Sequence, residues 1–187
     1  QKRINIMLKI TRVKLKEIRN IQMEPNFDAF QLIGQIALGI IGFSAILIGL
    51  SRTSEGFSEP DNFRVQLLTY SAFGAMFGSI IPFAIFSDNN FEAAWLICFW
   101  VVSIYSVMGL IVFPRRMLNL RRLGHKDIFP IKLYLFQTGV LSIIFILSLL
   151  MITTNFYNPS QIYIICLMLY LFQSSVAFIR TMFFRVN

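Results

Sequence analysis

The side chains able to do chemistry are few, and their spacing does not assemble a catalytic centre. The 187-residue chain holds a single His, His125, and two Cys, Cys98 and Cys166. Haem ligation by two His, a His-rich zinc site and the HExxH pair of zinc hydrolases all need more imidazoles than this. Each Cys stands inside an apolar stretch and no CxxC is present, so both read as buried, unreactive thiols. A Gly-rich phosphate loop and a GxSxG elbow are also missing. Asp88 and Glu92 share a short segment with Asn89 and Asn90 that could hold a cation weakly, although solvated loop charges are the simpler reading. Asn158-Pro159-Ser160 is excluded as a glycosylation acceptor by its central Pro. The expectation is a protein without catalytic site, cofactor or metal.

Anion-binding chemistry remains. The run Pro114-Arg115-Arg116-Met117-Leu118-Asn119-Leu120-Arg121-Arg122-Leu123-Gly124 combines two arginine pairs with apolar residues, and Lys126 follows. This pattern suits a short helix lying at a membrane interface and ended by Gly124, with Arg115, Arg116, Arg121, Arg122 and Lys126 contacting lipid headgroups or an acidic partner. Each basic residue near an anionic leaflet contributes about 1 kcal/mol. The expected partners are the bilayer itself and anionic headgroups along residues 114–132. Nucleic acid is not expected, because the segment is short and lacks interleaved aromatic residues.

The elements that must carry this segment are set by composition. The chain is 56% hydrophobic and 14% charged, with 20 Phe. Soluble domains carry about 25% charged residues, and a chain this short could not hide so much apolar surface in one core. Residues 29–51, 65–87 and 93–114 contain no Asp, Glu, Lys or Arg, and each can cross a ~30 Å hydrocarbon layer as a helix. A fourth charge-free stretch, 133–179, is broken by the turn formers of residues 153–161. The fold expected is therefore all-α, an integral membrane bundle of five helices near 30–51, 65–86, 93–113, 132–152 and 162–183. Alternating, shorter segments would be needed for a membrane barrel.

Basic residues orient such a bundle, because Lys and Arg are retained on the cytoplasmic side. Arg52, Arg64, Arg115, Arg116, Arg121, Arg122, Lys126, Lys132, Arg180 and Arg185 all fall on one side of a five-helix count, while Glu24, Asp28, Asp88 and Glu92 fall on the other. The C-terminus and the 114–132 loop are expected inside and residues 23–29 outside. Residues 1–22 run against this, with Lys2, Arg3, Lys9, Arg12, Lys14, Lys16 and Arg19 against Glu17 alone, a net +6 of the chain's +8. Two readings stand: an upstream extension before a native start at Met23, or a basic membrane-surface segment. The chain thus divides into a basic N-terminal extension, 1–22, and a single transmembrane domain, 23–187.

Within the helices, Gly74-Ala75-Met76-Phe77-Gly78 is a GxxxG motif, and Ala45 and Gly49 repeat the four-residue spacing on helix 1. Small residues at that spacing let helices approach closely. Helices 1 and 2 are expected to pack as a hairpin through Gly74, Gly78, Ala45 and Gly49, with a homo-oligomer interface as the second reading. Pro82 should kink or end helix 2 and free a backbone carbonyl. Gln137 and Gln173 lie in the spans and need hydrogen-bond partners there. Tyr134-Leu135-Phe136-Gln137 and Tyr170-Leu171-Phe172-Gln173 repeat one tetrapeptide, read here as coincidence. No charged residue lies deep in a span, which weakens proton-coupled transport.

From Met23, MEPNFDAFQLIGQIALGIIGFSAILIGLSR and then LLTYSAFGAMFGSIIPF resemble small bacterial multi-pass membrane proteins. The resemblance covers helices 1 and 2, implies a bacterial cytoplasmic membrane, and carries no activity. The expected role is a structural or accessory subunit of a membrane complex. The alternative is a small oligomeric channel or facilitator, and an enzyme comes last. For orientation, Asn89→Cys is expected to react with an impermeant thiol reagent applied outside the cell, and His125→Cys is not. The reverse pattern would invert the topology.

Overall fold

The computed structural model describes residues 23–51, 58–86, 90–154 and 158–183. The basic segment 1–22 and the expected orientation markers Arg52, Asp88 and Arg185 lie outside them. Five helices follow in order: α1 (Phe27–Ser51), α2 (Glu59–Ile85), α3 (Phe91–Arg122), α4 (Ile131–Thr153) and α5 (Pro159–Phe183). All five are long and apolar enough to cross a membrane, and the described residues contain no strand. Their outward faces are apolar as well: Leu32, Leu38 and Ile46 on α1, Phe77 and Ile80 on α2, and Ile104, Met108 and Val112 on α3 are all exposed. Such a surface suits lipid rather than water. The protein is an all-α, multi-pass membrane bundle.

Two boundaries move from those expected. Helix α2 begins at Glu59 because Ser58 caps it: the Ser58 hydroxyl accepts from the Asp61 amide at 3.4 Å, and Pro60 occupies the first turn. Helix α3 does not stop near 113 but runs through Pro114 to Arg122. The separate interfacial helix expected from Pro114 onward is therefore corrected to the last turns of α3. Phe113, Met117 and Leu120 are all buried, and their spacing continues one stripe along the helix, so packing carries it past the proline. Gly124, at φ +105°, still ends the segment in the left-handed region that glycine reaches without strain.

Neighbouring helices pack in chain order, α5 closes back on α1 and α4, and α2 and α5 form a long central seam. Helix α1 lies on one side of that seam, with α3 and α4 on the other. Among the described residues α2 does not touch α4. Helices α3 and α5 also meet directly, so α2 and α4 lie on opposite sides of their contact.

Small residues set the closest approaches. A Cβ at Gly34 of α1 would lie 2.6 Å from Ser79 Oγ of α2, and one at Gly78 would lie 2.5 Å from Leu167 Cδ2 of α5. Pro82 lies inside α2 without ending it. Because proline has no N–H, it cannot bond the carbonyl four residues earlier, which belongs to Gly78. The Tyr163 hydroxyl donates to that carbonyl at 2.8 Å. Tyr163 is completely buried, with Phe30, Trp95 and Phe99 meeting its ring edge-on. One glycine therefore admits α5 and also presents the carbonyl that α5 takes up.

Gly78→Ala should destabilise the bundle by about 1–3 kcal/mol through overpacking against Leu167. Gly39→Ala on α1, where no heavy atom lies within 4 Å of the added methyl, should be neutral or stabilise by about 0.5–1 kcal/mol through helix propensity. Unfolding in mixed detergent micelles measures both, and equal effects would contradict the packing described.

Candidate functional site

The basic end of the bundle is built around one turn of chain. Phe129 is buried between α2 and α3, its ring edge-on to Phe63 with centroids 5.4 Å apart. The Ile128 and Phe129 carbonyls lie outside the helical ladder, and two arginines supply donors. Arg180 Nη2 of α5 bonds the Ile128 carbonyl at 2.6 Å, and Arg121 Nη1 of α3 bonds the Phe129 carbonyl. Arg64 of α2 places its guanidinium 5.8 Å from the Phe129 ring centre and pairs with Asp61 at 3.1 Å. Asp61 also accepts from the Ser58 hydroxyl at 2.8 Å. Arg64 and Asp61 are both buried. A buried ion pair is a poor source of net stability, but removing one partner alone costs about 3–5 kcal/mol.

This arrangement divides the expected headgroup-contacting residues. Arg121 is half-buried and fastened to the Phe129 carbonyl, while Arg116, also half-buried, bonds Gln66 Oε1 of α2. Arg115, Arg122 and Lys126 are exposed, as is Lys132. One arginine of each adjacent pair turns inward and the other outward, because successive helical positions differ by about 100°. Cations that can meet a headgroup or an acidic partner are thus Arg115, Arg122, Lys126 and Lys132, with Arg116 and Arg121 behind them.

The helix-packing residues are divided too. Gly74 and Gly78 are buried at α3 and α5: a Cβ at Gly74 would lie 2.7 Å from Tyr105 and 3.3 Å from Tyr170. The GxxxG motif is therefore used within the chain and faces α3 and α5 rather than α1 or a second copy. Ala45 and Gly49 are exposed and do not seat α1 on α2. The buried stripe of α1 runs through Phe30, Ile33, Ala37 and Ser44, and Ala45 and Gly49 lie roughly 100° around the helix from it.

Midway along the bundle, α2 and α3 hold each other by a reciprocal clasp. The Tyr105 hydroxyl donates to the Tyr70 carbonyl at 2.7 Å, and the Tyr70 hydroxyl donates to the Tyr105 carbonyl. Their rings stack 4.3 Å apart at 10°. Each ring fits because a glycine stands opposite it: Gly74 beneath Tyr105, and Gly109 beneath Tyr70, where a Cβ would lie 2.9 Å from the ring. The sequence carries the signal as a repeat, Tyr70-Ser71-Ala72-Phe73-Gly74 and Tyr105-Ser106-Val107-Met108-Gly109. On antiparallel neighbours these pentapeptides meet about a local two-fold axis. Composition and hydropathy do not reveal it, and only a search for matched spacings would have. The tetrapeptide repeat of α4 and α5 behaves similarly, since Phe136 and Phe172 touch edge-on at 5.8 Å.

Further hydroxyls tie α5 into this layer. Ser106 and Tyr170 share a hydrogen bond of 2.8 Å, and Ser174 donates to the Leu68 carbonyl at 3.1 Å. Cys98 and Cys166 are both buried and unpaired with each other. At the end opposite the arginines, Trp95 Nε1 donates to the Met23 carbonyl at 2.8 Å, and the Asn26 amide donates to Ser160 Oγ at 3.1 Å. No family model, no curated protein and no solved structure matches this chain.

The clasp makes a measurable demand. Tyr70→Phe and Tyr105→Phe should each cost about 0.5–1.5 kcal/mol, and the double variant should show a coupling energy of about 0.5–3 kcal/mol, as for residues in direct contact. Additive losses in detergent unfolding would mean that the two bonds act independently.

Proposed function

We propose that the protein is a non-catalytic accessory subunit that scaffolds a larger complex in a bacterial cytoplasmic membrane. In this reading the 114–132 segment and the C-terminus face the cytoplasm and residues 23–29 face outward. The observation that carries it is the use of the polar groups: the hydroxyls of Tyr70, Tyr105, Tyr163, Tyr170 and Ser174 all fasten one helix to another. The buried charged side chains among the described residues, Asp61 and Arg64, lie in the first two turns of α2 rather than at mid-depth. Proton relays and ion sites need ionisable groups placed within the membrane, so the interior is organised for rigidity.

The exposed cations complete the proposal. Arg115, Arg122, Lys126 and Lys132 form an outward basic rim that attracts anionic headgroups at about 1 kcal/mol per residue, and the same charges suit an acidic segment of a partner subunit. The oligomeric channel is the less favoured reading. Its proposed interface was the GxxxG motif, which α3 and α5 of the same chain occupy.

Affinity purification of the full chain in mild detergent should recover a membrane protein at fixed stoichiometry, and reconstituted vesicles should pass neither ions nor small solutes. Recovery of the chain alone would sink the accessory reading. Solute flux would restore the channel.

A further inference from the structure

The bundle encloses polar atoms that the hydroxyl bonds do not reach. Gln173 of α5 is 1% exposed, and among the described residues neither its Oε1 nor its Nε2 has a hydrogen-bond partner. The same holds for Oγ of Ser71 on α2, which is 0% exposed, and for Oε1 of Gln137 on α4, which is 7% exposed.

Their depths coincide. Gly74 lies against Tyr170, and Ser174 bonds the Leu68 carbonyl. Ser71, between Leu68 and Gly74, is level with the Tyr170–Ser174 turn that contains Gln173 but shares the Gly78 stripe that meets α5, across the α3–α5 contact from α4. Phe136 meets Phe172 on the outer faces of α4 and α5, which sets the next residue of each helix, Gln137 and Gln173, level with the other. Each glutamine is rotated about 100° from its phenylalanine, toward the buried side. The Ser106–Tyr170 bond adds α3 to the same layer.

An amide or hydroxyl without a partner is costly in any interior, and in hydrocarbon each such group costs several kcal/mol. Helices α4 and α5 contribute such groups at one depth, in a bundle that satisfies even the Pro82-freed carbonyl. We propose that Gln173 and Gln137 form an internal hydration site that holds water between α4 and α5 in the middle of the bundle. Water fits the chemistry: buried waters make about three hydrogen bonds, and the site offers amide N–H donors and two carbonyl-type acceptors. The site is uncharged, so an ion of either sign finds no counter-charge there.

The test uses the full chain, isotopically labelled and reconstituted in phosphatidylcholine–phosphatidylglycerol vesicles, with magnetisation transferred from water in solid-state NMR. Water magnetisation is expected to reach the side-chain amides of Gln173 and Gln137 as fast as it reaches exposed Lys126. Build-up as slow as at Ile144, which is fully buried and apolar, would overturn the proposal. So would a direct correlation of the Gln173 amide with Gln137 combined with slow transfer, since the two side chains would then satisfy one another. Gln173→Met, which keeps the side-chain length and removes both amide atoms, is expected to slow transfer to Gln137 at least several-fold. Unchanged transfer to Gln137 in that variant would also overturn it.

Discussion

The bundle rests on side-chain hydroxyls that donate to the backbone carbonyls of neighbouring helices. Lipid tails are as apolar as leucine, so burial of aliphatic surface does little to draw membrane helices together. Close packing and interhelical hydrogen bonds must do so instead. Tyr163 on the Gly78 carbonyl, Tyr70 and Tyr105 on each other's carbonyls, and Ser174 on the Leu68 carbonyl join α2 to α3 and to α5. The tyrosine bonds need a tight approach, and Gly74, Gly78 and Gly109 allow it. Small residues and hydroxyls are therefore two halves of one device.

The arginine end works by a related logic with charged donors. A short connection between α3 and α4 leaves carbonyls of Ile128 and Phe129 beyond the helical ladder. Arg180 and Arg121 take them, and the Phe129 ring lies beneath the Arg64 guanidinium. A loop that would otherwise float over the membrane face is drawn onto the ends of α2, α3 and α5. Arginine suits this position because its fixed fork of donors and long stem reach a carbonyl while keeping the charge near the interface.

Much of the architecture was legible because it depends on coarse properties. Charge-free stretches of about 20 residues announce membrane helices, and the carbonyl freed by Pro82 follows from local covalent geometry. What was not legible depends on rotation of one helix against another. Gly74 and Gly78 were recognised as packing residues, but spacing alone does not say which neighbour they face. Ala45 and Gly49 have the same spacing and are exposed, because the stripe from Phe30 to Ser44 decides which side α1 buries. Arg115 and Arg116 look equivalent in sequence, yet a helix turns them to different surroundings once α3 is seen to continue through Pro114. The paired Tyr-Ser-x-x-Gly segments were visible as letters, but antiparallel neighbours give such a repeat meaning only when their register is known.

The pinned turn at Ile128 and Phe129 has a mechanical consequence. Its fastenings come from α3 and α5, and it leads directly into α4, so three helix ends share one knot. Sideways strain on the connection at Arg122 and Lys126 would meet resistance from three helix ends at once instead of one.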